Sequence, residues 1–155
     1  MLPFFVLLIA TLLLRFIGAA GLRPFGSWTW CLRCGLALMF LFTASAHWGK
    51  RRRDLVAMVP RVFPRPDVMV SVTGVLEILG RLGLLITATA PVAAACLAML
   101  LIGLFPANIR AAREHLTISG RPATALPLRT LLQLVFITAV IAAGFPGTFS
   151  FVARY

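Results

Sequence analysis

The chain has 155 residues, of which 61% are hydrophobic and only 12% charged, and its mean hydropathy is +0.99. Soluble domains are about half apolar and about a quarter charged, so this composition excludes an ordinary water-soluble globule and a disordered chain. At roughly 20 residues per spanning helix, five helices use about 100 residues and leave about 55 for loops and ends. That describes one helical bundle with no separate soluble domain.

Lys and Arg number 15 against 4 Asp and Glu, a formal net charge of +11. The cations cluster between apolar segments, so the expected partner is the anionic headgroup layer of a bilayer and not nucleic acid. Three cysteines are an odd number, and no disulfide framework follows from them.

In chain order, the first apolar segment covers about 3–21. Gly18, Ala19, Ala20 and Gly21 imitate a signal-peptidase site, but Arg15 interrupts the run that such a signal requires, so the segment is read as a retained helix. The second covers 28–48, with Trp28, Trp30 and Trp48 at its ends, where indoles prefer the membrane interface. Lys50 to Arg53 stop it. The stretch 54–66 places Leu55, Met58, Val59, Val62 and Phe63 at helical spacing among arginines and is broken by Pro60 and Pro64, the pattern of a short surface-lying segment. The third and fourth helices are expected over about 68–90 and 91–108. The stretch 106–125 reads as a polar loop with at most one helical turn. The fifth helix is expected over 126–144, and the tail to Tyr155 returns to the interface. Continuous apolar runs fit helices and not the alternation of a barrel. The fold class is therefore an all-α polytopic transmembrane helix bundle.

The segments after the second and fourth helices carry nine cations: Lys50, Arg51, Arg52, Arg53, Arg61, Arg65, Arg110, Arg113 and Arg121. The other side has Arg23 and Arg154, with Arg33 if its long side chain snorkels to the surface. This asymmetry predicts the basic segments in the cytoplasm, the N-terminus inside and the C-terminus outside a bacterial inner membrane.

Several stretches share a pattern: Arg33-Cys34-Gly35 through Phe42-Thr43-Ala44-Ser45-Ala46-His47-Trp48, Val70 through Gly80, Phe105-Pro106-Ala107-Asn108-Ile109, and Leu126-Pro127-Leu128-Arg129 with Gln133. In this order and spacing they resemble the DoxX-like family of small bacterial membrane proteins, over about Leu32 to Ala143. The resemblance implies a four-helix core, to which the first segment adds one N-terminal helix. Among the family's relatives are a subunit linked to thiosulfate:quinone oxidoreduction and membrane partners of soluble redox enzymes.

The informative residues are polar groups placed where lipid is expected. Glu77 and Arg81 stand four apart in the third segment, roughly 14 and 20 Å from its start at 1.5 Å per residue. A charge at that depth costs on the order of 3 kcal/mol, and the spacing suits an intrahelical pair. Such a pair either fixes helix packing or lines a polar cavity. His47, Asn108, Gln133 and Thr73 fall at levels where they can join Glu77, although a helix-end His and an Asn beside Pro106 also serve as interfacial and capping residues. Arg15 lies deep in the first segment, and either Arg15 or Arg81 is expected to contact something besides Glu77. No metal-ligand spacing is present.

Cys31-Leu32-Arg33-Cys34 is the one redox-like spelling. A helix N-terminus and Arg33 favour a thiolate there, and Cys96 is a third candidate participant. The alternative is that these thiols simply pack as small hydrophobes. The leading expectation is a non-catalytic or accessory membrane subunit that binds a small apolar or anionic ligand, or a protein partner, around Glu77 and Arg81, with a homo-oligomer as a further partner. The alternative is a thiol- and quinone-linked redox component using Cys31 and Cys34, with quinone as the implied cofactor. A small transporter ranks last, for want of an inverted repeat or a second acidic group.

Overall fold

A computed structural model describes residues 1–148. Its helices are α1 (Leu2–Ala19), α2 (Trp28–Trp48), α3 (Arg52–Met58), α4 (Pro66–Leu85), α5 (Ala90–Gly103), α6 (Phe105–Arg113) and α7 (Leu126–Gly144). Among the described residues, five stretches are long and apolar enough to cross a membrane: Leu2–Ala19, Trp28–Trp48, Pro66–Leu85, Ala90–Arg113 and Leu126–Gly144. The chain is therefore mostly helical, as its apolar runs require when backbone groups must be satisfied within each segment. Arg154, counted above for orientation, and the end of the tail lie outside the described residues.

Local chemistry explains the boundaries. α1, α4, α5, α6 and α7 each carry Pro in the first turn, where its missing N–H is not needed. Gly21, at φ +108°, turns the chain out of α1 into a 3-10 turn at Arg23–Gly26. α4 stops at Leu85, earlier than the expected 90, because Thr89 Oγ1 donates to the carbonyls of Gly83 (2.9 Å) and Ile86 (3.2 Å) and closes the helix end. The stretch after Pro106 was expected to be mostly loop, yet α6 runs nine residues. Pro106 sits in the first turn of α6, where it breaks nothing, and Leu104 keeps helical angles between α5 and α6. Beyond α6, β1 (Thr117–Ile118) pairs antiparallel with β2 (Arg121–Pro122) across Ser119-Gly120, both at positive φ, the geometry of a tight two-residue hairpin. The surface segment forms α3, ending at Met58, before the turns around Pro60 and Pro64.

α2 packs on α4, α4 on α5, α5 on α7 and α7 back on α2, while α1 lies along α2. The end of the bundle holding α3, α6 and the hairpin carries most of the arginines and is called the basic end below. Toward the other end α2, α4, α5 and α7 pack closely. Leu36, Leu84, Ala94, Leu97, Val140 and Ala143 form its core with almost no exposed surface. A Cβ on Gly80 would lie 2.5 Å from Leu97, and one on Gly144 would overlap Ala94. Small residues let these helices approach closely where apolar burial drives little association.

Candidate functional site

Glu77 is buried in α4, at 6% exposure, and faces α2. Thr43 Oγ1 donates to its Oε2 at 2.7 Å, and His47 Nε2 lies 3.4 Å from its Oε1. The expected pairing with Arg81 does not form. Both carboxylate oxygens are engaged by α2 residues, and the ion pairs among the described residues do not join Glu77 to Arg81. Gly74, one turn before Glu77, makes this geometry available: a Cβ there would lie 2.7 Å from His47 Cγ and 2.8 Å from Trp48. The glycines of α4 thus serve two neighbours, Gly74 admitting His47 from α2, and Gly80 and Gly83 admitting Leu97 and Ala93 from α5.

His47 is as buried as Glu77, so it is not an interfacial side chain. Its Nδ1 lies 2.6 Å from the carbonyl oxygen of Val70. A carbonyl only accepts, so Nδ1 carries the hydrogen. Nε2 then faces Glu77 Oε1, a contact that becomes an ion pair when the imidazole is protonated. Thr73 stands beside it, donating to Val70 O at 3.0 Å and 3.5 Å from His47 Nδ1. Arg52 anchors the end of α2 by donating to His47 O at 2.7 Å and to Asp67 O and Ser71 Oγ, both at 3.0 Å.

A second polar group lies across the bundle. Asn108 Nδ2 donates to Gln133 Oε1 at 3.0 Å, Gln133 Nε2 to Leu101 O at 2.7 Å, and Arg129 Nη1 to Asn108 Oδ1 at 2.8 Å. Asn108 is therefore a link between α6 and α7 and not merely a cap. The anticipated cluster of Glu77, His47, Asn108 and Gln133 is present as two hydrogen-bonded groups on either side of a cavity wall. Of the two cavities beside these groups, the larger, about 340 Å³, lies between α2, α3, α4 and α6 and includes His47, Thr73, Glu77 and Asn108 among walls such as Met58, Phe63 and Leu104; a further apolar cavity of about 450 Å³ lies between α1, α2 and α7 at the other end, against Leu7, Thr11, Leu32 and Val135. The smaller of the two, about 270 Å³, is bordered by Glu77, Asn108, Arg129 and Gln133 together with Phe4, Phe40 and Phe136. Thr43, Glu77, Leu104 and Asn108 border both. Arg129 escaped the sequence reading. Its signal was a cation in the first turn of a helix with no acid within four residues.

The other arginines resolve separately. Arg33 does not snorkel. It is 6% exposed, and its Nε donates to Ala143 O at 2.9 Å. That carbonyl is among the last four of α7, which have no partner within the helix, so a cation there satisfies both hydrogen bonding and the helix dipole. Arg15 stands over the Trp28 ring at 5.3 Å, a cation–π contact. Arg15 and Arg81 each sit four residues before their helix ends at Ala19 and Leu85, about 6 Å along the axis and so shallower than expected. The Nε atoms of both are buried without a hydrogen-bond partner among the described residues. Cys31 is enclosed and its Sγ donates to Phe25 O at 3.2 Å, Cys34 is half-buried and Cys96 exposed, all as free thiols. Among the described residues, no group of His, Cys, Asp and Glu is arranged to hold a metal ion.

At the basic end, Arg110 Nη1 donates to Val59 O and its Nε to Glu114 at 3.1 Å, while Ser119 N donates to Asp54 at 2.9 Å. These contacts hold α3, α6 and the hairpin over the larger cavity. The hydrogen bond from Arg110 holds the Glu114 carboxyl below the usual carboxylate range.

Comparison with known proteins places this site within one domain. No curated protein and no solved structure matches the chain. Residues 36–144 match the family described as "Domain of unknown function (DUF8561)", a stretch that takes in both cavity-lining polar groups and excludes Cys31 and Cys34, and the chain belongs to that family.

Proposed function

We propose that this protein is a DoxX-like accessory subunit of the bacterial inner membrane, with the basic end in the cytoplasm, and that it binds a small, mostly apolar molecule in the larger cavity without itself catalysing a reaction. The proposal includes a four-helix DoxX-like core of α2, α4, α5 and α7, with α1 as an addition. One observation carries the reading: a cavity of about 340 Å³ with mostly apolar walls has the buried Glu77–His47 pair on one side. Buried charge is costly in such a place, and packing alone would be served as well by apolar residues of similar volume. Ligand sites have this character, an apolar lining with a few convergent polar groups.

The ligand class follows from the lining. The body is apolar and meets Met58, Phe63 and Leu104. The head carries carbonyl or hydroxyl oxygens, which accept the second amide hydrogen of Asn108 or, as a hydroxyl, donate to the Glu77 carboxylate. A lipid-soluble quinone is one member of this class.

Titration of the detergent-purified protein with a short-chain ubiquinone and with an aliphatic alcohol, read by the fluorescence of Trp48 next to His47, tests the proposal. Saturable binding is expected, weakened about tenfold in Glu77→Gln, which corresponds to about 1.4 kcal/mol. Equal, non-saturable partitioning of both probes into both proteins would contradict it.

The thiol alternative has less support. Cys31 is enclosed and already hydrogen-bonded, and both Cys31 and Cys34 lie at the opposite end of α2 from the cavity.

A further inference from the structure

The smaller cavity has a different character from the larger one, and Arg129 sets it. Arg129 Nε donates to Thr124 O at 3.0 Å and Nη1 to Asn108 Oδ1 at 2.8 Å. Both acceptors are neutral, and Nη2 has no hydrogen-bond partner among the described residues. Three of the four acids are engaged elsewhere, and the fourth, Asp67, lies in the first turn of α4 and does not line this cavity. Glu77 holds Thr43 and His47, Glu114 holds Arg110 and Arg61, and Asp54 accepts from Ser119. No ion pair to Arg129 occurs among the described residues. A cation in the first turn of α7 also stands at the positive end of that helix's dipole, so it does not serve the helix.

Thr124 and Asn108 fix the guanidinium with its free edge at a cavity whose other walls include Phe4, Met39, Phe40, Leu132 and Phe136. A rigid guanidinium fork on an apolar slot at the basic end suits an anionic head on a hydrocarbon chain, since Arg binds phosphate oxygens bidentately. The Glu77 carboxylate on the shared wall keeps that head at the Arg129 end.

We propose that the smaller cavity holds one anionic phospholipid, its phosphate on Arg129 and an acyl chain along Phe40 and Phe136. This site shares Glu77 and Asn108 with the larger cavity, but its anchor, Arg129, borders the smaller cavity and not the larger. Unlike the general attraction of the basic loops for anionic membranes, it depends on one residue.

Native mass spectrometry of delipidated protein given equal phosphatidylglycerol and phosphatidylcholine reads it out. The wild type is expected to retain phosphatidylglycerol about tenfold better. Arg129→Gln is expected to lose that preference, and Arg129→Lys to keep part of it. Arg113→Gln and Arg121→Gln, which change only the surface charge of the basic end, are expected to keep it whole. A preference that survives Arg129→Gln, or disappears in Arg121→Gln, would assign it to the basic loops and overturn the proposal. A competition on the wild type alone needs no variant to fold: displacement of phosphatidylglycerol by equimolar oleate would make the occupant a carboxylate and would equally overturn it.

Discussion

The two ends of the bundle solve opposite problems with the same four packed helices. Away from the basic end, Gly80, Gly144, Ala93 and Ala94 bring backbones together around Leu84, Leu97 and Val140, and Arg33, buried there, caps the Ala143 carbonyl. At the basic end the helices are held apart by α3 and α6, and the space between them is lined by Glu77, His47, Asn108 and Gln133. The contrast separates two uses of buried polarity. Arg33 repairs a helix end and lines neither of the two polar-walled cavities, whereas Glu77 and His47 face each other on the wall of one. The close-packed end works as a clamp, and the open end carries the specific chemistry.

Substitutions can break this division. The largest expected loss of stability is at the clamp. Leu97→Ala leaves a void against Gly80, with a loss of about 3 kcal/mol and unchanged ligand binding, read by thermal unfolding in detergent beside the fluorescence titration. Glu77→Ala strands His47 Nε2 and Thr43, with a loss of about 2 kcal/mol and of binding. The double variant Glu77→Met with His47→Leu is expected to recover much of that stability and none of the binding, because replacing a buried pair by apolar groups is often neutral. Full binding by the double variant would make the pair purely structural.

Smaller effects sharpen the same contrast. Gly74→Val pushes His47 off Val70 and Glu77, with a loss of about 1.5 kcal/mol and weakened binding, whereas Gly103, whose Cβ would meet nothing within 4 Å, tolerates Ala. Arg33→Met frees the Ala143 carbonyl for a loss of about 1 kcal/mol, again without touching the cavities. The smallest effect is acid-dependent. Glu114 is exposed and its carboxyl is held low by Arg110, so its contribution is present above the ordinary carboxylate range and fades as pH falls through the depressed value. Melting curves of wild type and Glu114→Gln, differing slightly near neutral pH, are expected to converge in acid.

Much of the fold was legible because apolar runs and prolines mark helices without reference to one another. The end of α4 lies before the expected position because the Thr89 hydroxyl reaches back to Gly83 and Ile86, a bond that the spelling Ile86-Thr87-Ala88-Thr89 does not announce. The site was half legible. Glu77, His47, Asn108 and Gln133 stood out as polar groups in lipid-like segments, but an i, i+4 spacing pointed Glu77 at Arg81 when its partners were on α2. Gly74 held the missing information, since the gap it leaves one turn below Glu77 is what lets a neighbouring helix insert His47. Arg33 could not be placed from its own neighbourhood, because its acceptor lies 110 positions along the chain.

Photolabelling with an aliphatic alcohol that carries a diazirine, mapped by peptide mass spectrometry, bears most directly on the idea of a cavity chosen by its buried Glu77–His47 pair. Label is expected to concentrate on Met58, Phe63 and Leu104 and to drop sharply there in Glu77→Gln. Label spread over the exposed Ile9, Leu13 and Phe16 of α1, with the same pattern in wild type and variant, would contradict it.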